Sequence, residues 1–462
     1  MILIKKSGLF LSGLMLISAM MLAYAAPASA QQGPEIPITD HTSWGEYPDV
    51  AIDSNGNTHI AYSDDADSSY REIWYTMLDS SGNTLIEDTQ ITTDDDENSV
   101  RPSIGVDANN RVHIVWQDQG GYALAYIKLN PYADDRDGSP ADPATITMVD
   151  EKTLAYDGTN YYQWPRLAID SGGNVNVVGK SYDEGIFYLQ TDNNGNTTVA
   201  EVLLKDSSSE YTWRAAPDVA VDSNNNVHIT WSDDKDTDDN EIYYMMLNGS
   251  NGSVMIGCTM VTPDDDAISK ASTITVDSDN NVHIVWKDGR GDGQAVYYTK
   301  LNPGLDDQDG DAADASAITL IDDKPVSPDT EEVWVKWVSS DIQCGRYIHI
   351  VAVEYNDANL YYMIIDTNGN TVVPGTGMTG TGSVTSYNYT PVARVAAGYD
   401  GMAHMVWSDS RDSGYDIYYT AYQGPSCEAT SIPTISEWGM IILSLLLAGG
   451  ALWFIRQRKR VS

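Results

Sequence analysis

The sequence predicts an all-β fold: a single β-propeller of about seven four-stranded blades, preceded by a signal peptide and followed by one transmembrane helix. Three observations predict it. A segment recurs at roughly fifty-five residues, the periodicity inside each recurrence is two, and two apolar runs are confined to the chain ends.

Segments beginning at Pro48, Pro102, Pro165, Pro217 and Ser272 read almost alike, and weaker copies surround Tyr347 and Ala403. One position in them is held by His59, His113, Asn176, His228, His283, His349 and His404. A fixed period of this length marks stacked units, none of which buries its faces alone. Apolar and polar residues alternate from Asp49 to Ile52, an Asn/Gly turn follows, and alternation resumes from Thr58 to Tyr62. Ile73–Leu78 and Thr89–Thr93 supply a third and a fourth strand, which makes one propeller blade. The last copy runs into Gly424-Pro425 without a fourth strand, while Pro37-Ile38-Thr39-Asp40 precedes Pro48 as Gln90–Asp94 precedes Pro102. The N-terminal strand is therefore expected to close the last blade and remove its open edge. This places the propeller at 34–424 and a linker at 425–431.

Residues 1–30 have a basic start (Lys5, Lys6), an apolar run and a close of Ala28-Ser29-Ala30, the pattern of a secretory signal removed by signal peptidase. A second apolar run at 440–455, followed by basic residues within 456–460, is just long enough to cross a bilayer. Basic residues stay cytoplasmic, so the body is expected outside the inner membrane, first as a single-pass intermediate and then at the cell envelope or surface. Before this run stands Ile432-Pro433-Thr434-Ile435-Ser436-Glu437-Trp438-Gly439. With the span and basic end behind it, this resembles the IPTL-CTERM sorting signal, from which it departs only in Ile435 for Leu. The resemblance covers 432–462 and implies an exosortase-like sorting enzyme as a partner.

Residues 31–431 carry 66 acidic and 20 basic side chains, a net of −46. Such a surface repels nucleic acid and anionic lipid, excluding both as partners, and attracts cations. Three cysteines, Cys258, Cys344 and Cys427, allow at most one internal bridge in an oxidising compartment.

The repeated histidines lie on different blades and cannot converge on one ion, so packing or a turn hydrogen bond is expected of them, as packing is of Trp116, Trp231, Trp286 and Trp407. Asp64, Asp118, Asp233, Asp288 and Asp409 stand where the second strand ends. They either ring the channel mouth or cap their own turns. Two histidine-to-histidine steps, of 63 and 66 residues against 52 to 55, carry matched acidic insertions. Oxygens alternate at Asp135, Asp137, Ser139 and Asp142, and at Asp307, Asp309, Asp311 and Asp314, with Gly138 and Gly310 allowing a bend. Calcium takes six or more hard oxygens from such spacing, although the terminal Glu of an EF-hand is missing and a solvated loop is the alternative. Calcium is the one cofactor suggested, and no organic cofactor is expected.

Trp44, Trp164, Trp213 and Trp334 fall between blades beside Arg101, Arg166 and Arg214. Aromatic faces with guanidinium groups on one rim suit sugar or peptide recognition, or pack between blades. The runs from Trp407 to Tyr419 and from Trp231 to Tyr244 resemble the sialidase-like propeller group, although the Ser-x-Asp-x-Gly-x-Thr-Trp box of true sialidases is not present. That resemblance implies three arginines around a carboxylate and a Tyr–Glu pair. The expected function is a surface-displayed binding, adhesion or matrix protein with an extracellular glycan or protein ligand. A sialidase-like glycoside hydrolase and a purely structural envelope protein are the alternatives.

Overall fold

The computed structural model describes residues 32–39, 43–66, 69–118, 123–156, 161–181, 185–206, 217–234, 239–290, 294–327, 335–354, 359–379, 393–398, 401–411 and 415–427. The chain divides into two compact units, Met1–Pro425 and Ser426–Ser462. All described strands belong to the first. No helix among the described residues is long and apolar enough to cross a membrane, and the predicted span at 440–455 lies outside them.

The period-two runs form seven four-stranded antiparallel sheets, one per blade. The inner strands, from blade one to blade seven, are Glu46–Ile52, Ser99–Val106, Tyr162–Ile169, Asp218–Val221, Ser269–Val276, Val335–Gln343 and Ala393–Ala397. In blade seven the fourth strand is Ile36–Pro37, paired with Asp416–Gln423 through Ile36↔Tyr419 and Pro37↔Tyr418. The N-terminal strand thus closes the ring.

One buried network recurs through the blades. Each histidine Nδ1 meets a tyrosine hydroxyl on the third strand, as in His113 with Tyr126 at 2.9 Å and His283 with Tyr298 at 2.9 Å. In blade six His349 Nε2 meets Gln343 at 3.0 Å, and in blades one, two, four and five the Nε2 faces an aspartate in the turn between the first two strands, Asp277 lying 3.2 Å from His283. That aspartate also caps its own turn, Asp277 accepting from the N–H groups of Asp279 and Asn281. Burial alone would raise the Asp107 carboxyl of blade two, but donation from His113 and the turn N–H groups holds it at about 2. In blade three Asn176 replaces the histidine and accepts from Tyr188 at 2.9 Å. The histidines of blades one, two, four, five and six therefore tie turn, second strand and third strand together inside their blades.

The two acidic insertions have a definite place. Residues 130–142 of blade two lie along the outer strand of blade one, Thr84–Gln90, where Gly138 N–H donates to Leu85 O and Glu87 N–H to Ser139 O. Residues 302–314 of blade five do the same to blade four, Gly310 N–H donating to Met255 O and Gly257 N–H to Asp311 O. A Cβ at Gly257 would sit 2.9 Å from Ala312 N, so only glycine allows this approach. The insertions cover strand edges that would otherwise be open.

Candidate functional site

The inner strands enclose a channel of about 400 Å³. Its wall is polar because side chains there bridge neighbouring blades. Asp49 accepts from Ile104 N–H at 3.0 Å, Asp218 from Ile274 N–H at 3.0 Å, and Asp341 from Ala397 N–H at 2.8 Å. Arg166 and Arg394 both approach Asp49, at 3.7 and 3.8 Å. Burial raises the Asp49 carboxyl and the Arg166 charge opposes that rise. Burial also outweighs the two N–H donors of Asp341 and, with Asp218 nearby, pushes its carboxyl up to about 6.

One end of the channel is the mouth. Each inner strand starts there opposite the end of the second strand, as Glu46↔Ser63 and Ser99↔Asp118 show. Bulges interrupt the inner strands just inside it, between Glu46 and Asp49, Val100 and Ser103, Gln163 and Arg166, and Lys270 and Thr273. Within these bulges Tyr47, Arg101, Trp164 and Ala271 have φ of 55°, 56°, 55° and 55°. A non-glycine residue in the left-handed region costs about 1–3 kcal/mol and persists where its surroundings hold it.

The bulges turn three large side chains toward one another. The Arg101 guanidinium lies 4.1 Å from the Trp164 ring centre and 5.2 Å from that of Tyr47. Its Nη1 donates to Gln117 at 2.6 Å, and its buried Nε has no hydrogen-bond partner. Trp164 also meets Trp337, with ring centres 6.3 Å apart. Blades three and six lie nearly opposite in a ring of seven, so this pair carries the cluster across the mouth. Tyr47, Arg101 and Trp164 line a small hollow with Arg166 and Arg394. Burial pushes the Tyr47 hydroxyl up and the Arg101 guanidinium down from their ordinary values.

Arg101, Trp164 and Arg166 are thus brought together, while Trp213, Arg214 and Trp334 lie outside the described residues. Trp44 is farther out, 40% exposed and 4.7 Å from the Tyr415 ring. The strand-end aspartates do not line the channel. Asp288 and Asp409 are fully buried and accept from the indoles of Trp286 and Trp407 at 3.0 and 3.1 Å and from Arg290 and Arg411 at 2.9 Å. Asp64 and Asp233 are each 1% exposed, and Asp118 is half-buried. Tyr47 and Trp337 belong to the cluster, and Arg394 is a third arginine that sequence reasoning missed. The Tyr-Pro, Arg-Pro and Trp-Pro pairs at 47, 101 and 164 were the available signal.

In the insertions four of the seven candidate carboxylates serve their own turns. Asp137 accepts from Ser139 N–H at 3.1 Å, Asp142 from Ala144 N–H at 3.0 Å, Asp309 from Asp311 N–H at 3.0 Å, and Asp314 from Ser316 N–H at 3.0 Å. Among the described residues no group of three or more His, Cys, Asp or Glu side chains is arranged to hold a metal ion. The sorting residues Ile432, Pro433, Thr434, Trp438 and Gly439 lie outside the described residues. Cys258 is half-buried, and Cys344 and Cys427 are each disulfide-bonded, as an oxidising compartment permits.

Residues 430–460 match the IPTL-CTERM motif. No curated protein matches the chain in sequence. Among solved structures, an ulvan lyase of a polysaccharide lyase family is similar over 84% of this chain and 95% of its own, with 11% identity and a TM-score of 0.52. A protein of unknown function from Dyadobacter fermentans is similar over 85% of this chain and 99% of its own, with 9% identity and a TM-score of 0.50. A Hadza microbial sialidase is similar over 82% and 65%, with 11% identity and a TM-score of 0.42. At such identities the lyase and the Dyadobacter protein share a fold with this chain, and a fold does not carry an activity. The chain is a seven-bladed β-propeller with a match to the IPTL-CTERM sorting motif at residues 430–460, a motif that suggests export and the cell surface.

Proposed function

We propose that this chain is a surface-displayed binding propeller that takes an extracellular glycan at the channel mouth. The observation that carries the reading is the cluster of Tyr47, Arg101, Trp164 and Trp337, held by three strained backbone positions on consecutive blades. Aromatic faces stack on the apolar faces of sugar rings, and a guanidinium between them supplies a charged contact that fixes orientation. In this reading signal peptidase removes residues 1–30, the body passes outside the inner membrane, and an exosortase-like enzyme processes the tail. The ligand would meet a net-negative surface everywhere except at this cationic and aromatic spot.

The test is a glycan array probed with the exported chain. Trp164→Ala is expected to lower the signal of a bound glycan about 10-fold or more, as removal of a central aromatic anchor does. Binding that survives the change would place the ligand elsewhere. A second reading is glycoside hydrolysis, favoured by three arginines and Tyr47 around one hollow, with Glu46 beside Tyr47 in sequence. Turnover of fluorogenic glycosides that Tyr47→Phe abolishes would establish it over simple binding.

Calcium enters the proposal as a stabiliser of the insertions. It would have to draw Asp137, Asp142, Asp309 and Asp314 away from the turn N–H groups they now accept from. A rise in melting temperature on adding calcium, reversed by chelator, is the expected outcome if it does so. A melting temperature indifferent to chelator removes calcium from the reading.

A further inference from the structure

The chain repeats itself at a longer interval than the blade. His59 with Tyr75 corresponds to His228 with Tyr244, and Glu72 with Thr92 to Glu241 with Thr262, at a displacement of about 170 residues. The edge-covering insertions match bond for bond: Ala141 N–H donates to Thr89 and Ala313 N–H to Thr259, each at 3.0 Å. Blades three and six follow suit, Lys152 reaching Asn196 at 2.9 Å where Lys324 reaches Asn370 at 3.2 Å. The histidine–tyrosine pair and the threonine latch recur in other blades too, but among the described residues the edge-covering insertions and the lysine contact to an asparagine side chain occur only at these two places. The unit of repetition is therefore three blades, present twice, with blade seven closing the ring.

Against this shared frame the mouth differs between the two halves. Arg101 of the first unit corresponds to Ala271 of the second, in the same bulge and with φ of 56° against 55°. The strained backbone is kept and the cation is gone. Tyr47-Pro48-Asp49 corresponds in sequence to Ala216-Pro217-Asp218, with alanine again in place of the large side chain. Trp164 and Trp337 keep an indole in both. Ala271 shows that the strained frame does not need Arg101, and a buried guanidinium with an unbonded Nε is a cost that folding alone does not require.

We infer that the chain is a tandem pair of three-blade units that share the indoles of the mouth, in which the specificity-determining residues, Arg101 and Tyr47, are confined to the first. The first half of this statement stands on the repeated contacts, and the second rests on the mouth being the binding site.

The experiment compares three variants of the exported chain. Arg101→Ala installs the residue the second unit already carries and is expected to leave the melting temperature within about 2 °C of the parent. His113→Ala breaks the network common to both units and is expected to lower it by about 5 °C or more. A loss in Arg101→Ala as large as that in His113→Ala would make Arg101 part of the frame and overturn the inference. This arm needs no ligand, so it decides the matter even if the parent chain binds no glycan, an outcome that would remove the proposed function alone. With a bound glycan in hand, Arg101→Ala is expected to weaken binding about 10-fold. The exchange Arg101→Ala with Ala271→Arg is expected to stay equally weak, since the second unit has alanine in place of Tyr47. Recovery to parental affinity in the exchanged chain would show that either unit can serve and would overturn the confinement.

Discussion

Removal of residues 32–39 is expected to leave an opened ring that melts about 10 °C or more below the intact chain, or does not fold. The paired strand is short, but the contacts around it are dense. Ile38 N–H donates to Ile417 O and Gly33 N–H to Ala421 O, both at 2.7 Å. The Thr39 hydroxyl accepts from Ile417 N–H at 2.9 Å and donates to Asp416 at 3.1 Å, while the Gln32 amide reaches Met378 O of blade six at 3.0 Å. Ile36 and Ile38 pack against the cluster that joins blades seven and one. At about 1 kcal/mol for each hydrogen bond, and more for the apolar contacts, the segment is worth several kcal/mol. Its loss also exposes the long edge of Asp416–Gln423, an invitation to aggregation. A permutant that carries residues 32–39 after the last strand, in place of its natural position, is expected to regain the parental melting temperature. If the deleted chain melts with the parent, the clasp does not hold the ring.

The clasp was legible because it is written in the repeat: Pro37–Asp40 stands before Pro48 as Gln90–Asp94 stands before Pro102, and the last copy lacks a fourth strand. Blade number and strand order followed from the same periodicity, since alternation with period two has no other use for a half-buried chain. The insertions show what a sequence hides. Alternating oxygens at 135–142 suggest an ion, but the backbone N–H groups that those oxygens meet are set by folding, and nothing in the letters says that the loop lies on the preceding blade. The strand-end aspartates were ambiguous for a similar reason. Arg290 and Arg411, two residues beyond Asp288 and Asp409, were the sign that these acids face inward. The meeting of Trp164 with Trp337 could not be read at all, because contacts across the axis of a ring leave no period in the chain.

Replacing Glu72 and Glu241 by glutamine is expected to stabilise the chain at pH 8 and to change little at pH 5. Both acids begin a third strand and are at most 1% exposed. In each, one oxygen accepts from a threonine hydroxyl at 2.5 Å, Thr92 or Thr262, and the other is buried without a hydrogen-bond partner. The latch itself does not need a charge. In blade six Thr379 donates in the same way to Asn359 at 2.7 Å and accepts from Leu360 N–H at 3.0 Å. Burial pushes the Glu72 and Glu241 carboxyls up to about 7, helped by Asp94, Asp95 and Glu151 around the first and by Asp265 and Asp288 around the second. A carboxyl whose value is higher in the folded than in the unfolded chain holds its proton longer when folded. Stability therefore falls as pH rises from about 4.5 through 7, and the penalty is complete above that. The rise corresponds to at most about 3 kcal/mol for each residue. Glutamine preserves an acceptor for the threonine and cannot ionise. Thermal melts of parent and double variant at pH 5 and 8 check this: the parent is expected to lose stability over the interval and the variant to lose much less. Asp341, with its own carboxyl at about 6, contributes to the pH dependence of both chains and cancels in the comparison. Parallel losses in the two would mean that Glu72 and Glu241 ionise at no cost, and the neutral latch would have to be abandoned.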